Sequence, residues 1–352
     1  MKNIEQKIIA GERIERDEAL MLYEKADTLT LGALAHRIKE RLHPEKTITY
    51  IVDRNINYTN ICISKCRFCA FHRDLDSPEG YLLDSKTIYD KIEETLALGG
   101  IQILLQGGLH PGLSLEYYEE MLAGIKKNYA IWIHGFSPPE VVHLSTLSGL
   151  SIRDVLLRLI QAGLDSMPGG GAEILVDRVR QKVSPNKCSA VKWLEVMKTA
   201  HELGLRTTAT MMFGHIETNE ERLEHIFAIR ELQDITSGFT AFIPWPFQPG
   251  NTGLSCRKTG GVDYLRTLAV SRIILDNVPN IQASWVTQGP KVAQVSLAFG
   301  ANDMGSTMIE ENVVAAAGIS VRLPEKEIIR IVKDAGYKAV RRNMLYDTDG
   351  IS

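Results

Sequence analysis

Ile101-Gln102-Ile103-Leu104-Leu105 is a short aliphatic run set between two stretches of helical spacing, 84–98 and 115–127. A run this short, bounded by amphipathic segments, reads as a strand covered on both faces rather than as a helix. The same beat recurs outward in both directions. Further strand-like runs fall at 47–52, 130–134, 164–167, 206–213, 239–244, 281–285 and 297–302, with helix-like spacing at 190–203, 219–233, 262–277, 290–298 and 324–335. Strand alternating with helix builds right-handed βαβ units on a parallel sheet. The number of units predicts an α/β protein with a closed (β/α)8 TIM barrel over 46–352, C-terminal helix included, preceded by a helical extension over 1–45. A doubly wound open sheet shares the beat and is the alternative.

Bulk properties suit such a barrel. The chain has 352 residues, 44% of them hydrophobic, and can bury a large core. Lys+Arg 40 against Asp+Glu 43 gives a net charge of -3, which argues against an electrostatic grip on nucleic acid or an anionic membrane. The first residues carry charges where a signal peptide needs an apolar core, and no stretch reaches the roughly eighteen apolar residues of a membrane span. A cytoplasmic location is expected. In that reducing compartment clustered thiols hold metal or do redox work rather than pair.

Chemistry in a (β/α)8 barrel sits where strands end and helices begin. Asn57-Tyr58-Thr59-Asn60 follows the first run, Gln106-Gly107-Gly108-Leu109-His110-Pro111 the second, and Ser137-Pro138-Pro139-Glu140 the third. Pro168-Gly169-Gly170-Gly171-Ala172-Glu173 follows the fourth, Gly214-His215-Ile216-Glu217-Thr218 the fifth, and Asp303-Met304-Gly305-Ser306-Thr307 the last. Glycines beside acids and imidazoles mark this rim as the expected site.

Three of the five cysteines lie in Cys62-Ile63-Ser64-Lys65-Cys66-Arg67-Phe68-Cys69, a C-x3-C-x2-C loop. A structural zinc site wants a fourth close ligand, and the nearest imidazole is His72. Three thiolates on a tight loop can instead bind three irons of a 4Fe–4S cluster and leave the fourth open for a substrate or cosubstrate. Lys65 and Arg67 would offset the thiolate charge. Cys188 and Cys256 lie far away and read as ordinary thiols.

This C-x3-C-x-aromatic-C motif after the first strand of a barrel resembles that of the radical S-adenosylmethionine (SAM) enzymes. The resemblance implies a 4Fe–4S cluster on Cys62, Cys66 and Cys69 whose open iron chelates SAM, and cleavage of SAM to a 5'-deoxyadenosyl radical. It also implies cosubstrate contacts at Gly107 and Gly108, at Phe68 near the adenine, and at Glu173 and Ser137. Leu109 stands where many members have Glu, and Ser137 before Pro138 reads equally well as a helix N-cap.

The likeness runs along the chain. Asp53-Arg54-Asn55-Ile56-Asn57-Tyr58-Thr59-Asn60, the segments 208–215 and 241–245, Ser284-Trp285-Val286-Thr287-Gln288-Gly289 and Gly300-Ala301-Asn302-Asp303 carry it. They are similar to the group containing the aminofutalosine, deazaflavin-precursor (FO) and cyclic dehypoxanthinyl futalosine synthases, and the first and fourth look most like the last. Membership there implies an oxidoreductase of menaquinone biosynthesis by the futalosine route. The radical would abstract the ribose C4' hydrogen of dehypoxanthinyl futalosine, and the new carbon radical would attack the benzoate ring. A small nucleoside substrate and a one-electron donor such as flavodoxin or ferredoxin are implied, with no nucleic-acid or membrane partner. Restoring aromaticity needs a base, and His215, Glu217 and Asp303 at strand ends are the candidates. Arg54, Arg178 and Lys291 are cations available to the benzoate; Trp245, Phe247 and Trp285 could flank its ring. The alternatives are adenosyl addition to an enolpyruvyl benzoate, as in aminofutalosine synthesis, and FO synthesis.

Overall fold

The computed structural model describes residues 1–319 and 322–348, so the last four residues of the expected barrel segment lie outside the described residues. Helices Lys2–Ala10, Arg16–Lys25 and Thr28–Leu42 come first. The third starts at Asp27, whose carboxylate accepts the Thr30 N–H at 2.9 Å. The second and third pack on helices Asn219–Thr236 and Gly261–Ile274 of the barrel's outer layer. Ten strands follow: β1 (Thr47–Ile51), β2 (Asp53–Asn57), β3 (Gln102–Gln106), β4 (Trp132–Gly135) and β5 (Ser166–Met167), then β6 (Arg206–Phe213), β7 (Phe239–Pro246), β8 (Asn280–Ile281), β9 (Asp303–Ser306) and β10 (Lys338–Arg341). Four helices between them start on a polar side-chain cap, at Asp84, Ser151, Ser189 and Thr218, as where Asp84 accepts the Thr87 N–H at 2.7 Å.

All strand pairs are parallel. β2 to β8 make one sheet in chain order, and β10, β1 and β9 make a second. Only Val52 separates β1 from β2, so the two sheets share one long strand. The Ala283 N–H donates to Asp303 O at 2.8 Å and the Asn302 N–H to Ile281 O at 3.1 Å, which joins β8 to β9. The ring is closed, and the fold is the (β/α)8 barrel.

Two expected strands shift. The run 297–302 is a 3-10 turn at Leu297–Phe299 followed by Gly300 at φ 105, and the strand is the next segment, β9. Apolar content alone does not separate a buried turn from a strand. The run 281–285 supplies only the end of β8, because Trp285 already opens helix Trp285–Ser296. β10 was not expected at all. It lies beside β1, Thr47 next to Lys338, and its exposed or half-buried residues lack a strong apolar pattern.

Asp303 sits fully buried at the start of β9. It accepts from Arg342 Nε at 2.6 Å and Nη2 at 3.0 Å, from Thr49 Oγ1 at 2.5 Å and from the Gly305 N–H at 2.7 Å. One carboxylate therefore ties β1, β9 and the chain leaving β10. Stranding a buried guanidinium costs about 3–5 kcal/mol. Asp303→Asn should lower the unfolding free energy in urea by about 3 kcal/mol, and SAM cleavage and product formation should fall together. Thr49→Val should cost only about 1 kcal/mol in the same titration.

Candidate active site

The cysteine loop leaves β2 at the C-terminal rim of the barrel. The Cys62 N–H bonds Arg73 O at 3.0 Å, the Ile63 N–H bonds Leu109 O at 3.0 Å, and the Arg67 N–H bonds Val183 O at 2.9 Å. Three neighbouring segments thus fix the loop. Lys65 turns it with a left-handed φ of 46, and all five cysteines are free thiols. Burial pushes the Cys66 thiol up to about 12. His72 is engaged, its Nδ1 lying 2.8 Å from Cys69 O. Among the described residues no three His, Cys, Asp or Glu converge as a single metal ion requires. A cubane takes each thiolate on a different iron and needs no such convergence.

Lys187 is the counter-charge, with 14% of its side chain exposed. Its Nζ lies 3.0 Å from Glu173 Oε1 and 5.0 Å from the centre of the Phe68 ring. Burial opposes the ammonium, but a Cys66 thiolate and the Glu173 carboxylate outweigh burial and raise it above the usual lysine range. Arg180 Nη1 stands 3.6 Å from Glu173 Oε2, beyond hydrogen-bond reach, and that buried oxygen has no hydrogen-bond partner. Three soft thiolates beside a fixed cation fit an iron–sulfur cluster. The orphaned Glu173 oxygen, on a residue lining the central cavity, fits a donor group of a cosubstrate.

Inside the barrel is a cavity of about 290 Å³. Its walls follow from the two-residue period of strands. Asp53 and Asn55 of β2, Gln102 and Gln106 of β3 and His134 of β4 line it. The alternate residues Arg54, Ile56, Ile103 and Leu105 are buried on the outer side, and Arg54 Nη2 reaches Glu94 on helix Ser85–Ala97 at 2.7 Å. Across the cavity stand Ile243 and Trp245 of β7, with Trp285, Val286 and Met308. The side formed by β2 to β4 is mostly polar, Leu104 excepted, and the opposite side mixes these apolar groups with Gln282, Ser284, Thr287 and Ser306. Arg342 closes the lower end beside Asp53 and Gln102, the first residues of their strands.

The expected site residues divide between these regions. Phe68 and Glu173 meet at Lys187. Gly107 and Gly108 answer to packing: a Cβ would meet the Tyr58 ring at 2.4 Å and the Ile61 carbonyl at 2.2 Å, respectively. Ser137 makes no side-chain cap; its hydroxyl donates to Glu140 Oε2 at 2.6 Å. Buried Glu140 also accepts from Tyr58 Oη at 2.6 Å and the Gly107 N–H at 3.1 Å, which fixes the glycine loop. His215, Glu217 and Asp303 do not line the cavity. His215 Nε2 donates to Met212 O at 3.1 Å and Nδ1 accepts the Ile216 N–H at 2.8 Å. Burial keeps that ring neutral although Glu217 Oε2 stands 3.0 Å from Nδ1. Glu217 accepts from Arg222 Nε at 2.8 Å, and Arg222 continues to Asp263 and to Tyr23 Oη, each at 2.8 Å. This chain of contacts clamps helix Arg16–Lys25 to the barrel. Of the cations, Arg54 faces Glu94 outside the barrel, Arg178 pairs with Glu221 at the surface, and Lys291 does not line the cavity. Of the aromatic residues, Trp245 and Trp285 line it and Phe247 does not.

The residues missed from sequence are Lys187, Glu140, Arg342 and the polar wall. A signal for the wall was present. A parallel-barrel strand should be apolar on the face that meets the helices, so polar groups at alternate positions, as in Asp53-Arg54-Asn55 and Gln102-Ile103-Leu104-Leu105-Gln106, point to the lumen. Nothing local distinguishes Lys187 or Arg342 from surface cations.

Residues 56–229 match the model of the Radical SAM superfamily, and residues 236–352 that of the CofH/MqnC C-terminal region. The chain is 46% identical to the cyclic dehypoxanthine futalosine synthase of Halalkalibacterium halodurans, over 97% of this chain and 93% of that one. It is 41% identical to the aminodeoxyfutalosine synthase of Thermus thermophilus, over 97% of this chain and 94% of that one. In fold it is similar to the X-ray structure of the FeFe-hydrogenase maturase HydG from Carboxydothermus hydrogenoformans, with a TM-score of 0.77 at 19% identity, covering 98% of this chain and 80% of that one.

Replacing Cys62, Cys66 or Cys69 by Ser should abolish bound iron and the visible charge-transfer absorption after anaerobic reconstitution, with the far-ultraviolet circular dichroism unchanged. Lys187→Met should move the cluster's midpoint potential negative by roughly tens of millivolts, since a nearby cation favours the more negative reduced state. Potentiometric titration followed by electron paramagnetic resonance reads that shift.

Proposed function

Because the chain belongs to the radical SAM superfamily, in its CofH/MqnC branch, we propose that it is the cyclase of the futalosine route, converting dehypoxanthinyl futalosine to its cyclic form for menaquinone synthesis. The near full-length match to a cyclic dehypoxanthine futalosine synthase carries this reading. The cavity supports it, because its lining offers both polar groups, such as Asp53, Asn55 and Gln102, and aromatic ones, Trp245 and Trp285, to a substrate that has a hydroxylated sugar and an aromatic ring.

When bound, a 4Fe–4S cluster on Cys62, Cys66 and Cys69 and SAM at its open iron supply the 5'-deoxyadenosyl radical that takes the C4' hydrogen. The rest is placement by the protein. Glu173, with Phe68, Gly107, Gly108 and Ser137 around the rim, is the proposed cosubstrate face. Trp245, Ile243 and Val286 hold the benzoate ring by apolar contact, and Met308 and Val314 extend this apolar lining. Restoring aromaticity releases one proton and one electron, the electron passing to the oxidised form of the one-electron carrier that starts the reaction. Glu311 takes the role first given to His215, Glu217 and Asp303, because it lines the cavity and is only half-buried, so that a proton can pass to solvent. Asn55 Nδ2 at 3.1 Å and the Val314 N–H at 2.8 Å orient its carboxylate. A one-electron donor of the flavodoxin or ferredoxin type reduces the cluster. No described helix is long and apolar enough to cross a membrane, and we place the enzyme in the cytoplasm.

Reduced, reconstituted protein given dehypoxanthinyl futalosine and SAM should release free 5'-deoxyadenosine and a product lighter by two hydrogens. Deuterium at C4' should appear in the 5'-deoxyadenosine. Consumption of an enolpyruvyl benzoate without free 5'-deoxyadenosine would instead assign adenosyl addition. Glu311→Gln should lower cyclic product more than 5'-deoxyadenosine; equal losses would remove it from the proton transfer.

A further inference from the structure

We infer that the lower polar end of the cavity, formed by Asp53, Gln102, His134 and Arg342, is a subsite for the hydroxyl groups of the substrate's sugar, with Gln102 as its specificity-determining residue. The inference rests on the functional reading above and names the part of the substrate that this end of the site takes.

Gln102 is 3% exposed, lines the cavity, and its Oε1 has no hydrogen-bond partner. The amide cannot be turned to relieve this. Its Nε2 donates to Asp53 Oδ2 at 2.8 Å, and a turned amide would set oxygen against carboxylate oxygen. Asp53 Oδ1 is already engaged by the Ser306 hydroxyl. A buried acceptor with nothing to accept is costly, so the cavity is built to receive a donor at Gln102.

Donors face the same space. Ser166 Oγ accepts the Trp132 Nε1–H at 2.7 Å, so its own proton is free for His134 Nδ1, also at 2.7 Å. That bond leaves the proton of neutral His134 on Nε2, and burial holds the ring neutral, down to about 3. Arg342 spends Nε and one N–H of Nη2 on Asp303 and one N–H of Nη1 on Asn343 O, leaving an N–H on each terminal nitrogen.

An acceptor flanked by donors recognises a group that both donates and accepts. Hydroxyls do; a carboxylate does not. The substrate's benzoate carboxylate at this end would leave Gln102 Oε1 unpaired and would stand near Asp53 and Asp303. The sugar hydroxyls satisfy every group without adding charge.

The test pairs a variant with a trimmed substrate. Dehypoxanthinyl futalosine and its 2'-deoxy and 3'-deoxy analogues are compared on wild type and Gln102→Met, a change of similar length and volume. On wild type, loss of the recognised hydroxyl should lower kcat/KM by about tenfold to a hundredfold. Gln102→Met should lower it by a similar factor for the full substrate and leave the matching deoxy analogue unaffected. Calorimetric titration of the unreduced protein with the same compounds should rank them alike, independent of turnover. Equal losses for all three compounds, or a wild type indifferent to both deoxy analogues, would overturn the subsite alone and leave water as the partner of Gln102. A wild type that neither binds nor turns over dehypoxanthinyl futalosine would overturn the functional reading itself, and the subsite with it.

Discussion

Closure of the barrel depends on one carboxylate. β8 has two residues and β9 has four, so backbone pairing at this seam is sparse. Asp303 compensates by accepting from β1, from its own strand and twice from Arg342. Charge-assisted, two-pronged contacts of this kind resist distortion in a way that a few ladder hydrogen bonds do not. The same guanidinium faces the cavity, so the seam and the lower end of the site share a residue. Fold and recognition cannot be varied separately there.

A second group of charges stands at the opposite end. Lys187 and Glu173 stand beside Cys66 of the thiol loop, and Arg180 stands behind Glu173 at 3.6 Å. Between the two charged ends the lumen carries amides and an imidazole on β2 to β4, and from β7 onward the indoles of Trp245 and Trp285 among both aliphatic and polar side chains.

Much of this was legible in the chain. The alternation around Ile101 to Leu105 is a direct consequence of sheet and helix periods, and the barrel emerges from counting it. The loop of Cys62, Cys66 and Cys69 stood out as a candidate cluster site because spacing and thiol chemistry are both local properties. His215 and Glu217 were not resolved by position alone. A residue at a strand end lies on the active rim, but its side chain can turn outward, and theirs turn toward Arg222 and helix Arg16–Lys25. Asp303 was expected at the end of a strand and instead begins one, at the far end of the barrel. Lys187 and Arg342 were invisible because their partners are distant in sequence, and β10 because an exposed strand carries little apolar signal.

The pairing of β1 with β10 sets an order of events during synthesis. Thr47 meets Lys338 only after nearly the whole intervening chain has been made, on the order of half a minute at ordinary translation rates. Until then the nascent polypeptide has its thiol loop but lacks the arginine that plugs the barrel from below. The segment that seals the lumen therefore leaves the ribosome long after the thiol loop. Contacts this far apart in sequence carry a high loop-closure cost, so closure of the ring follows formation of the local βα units.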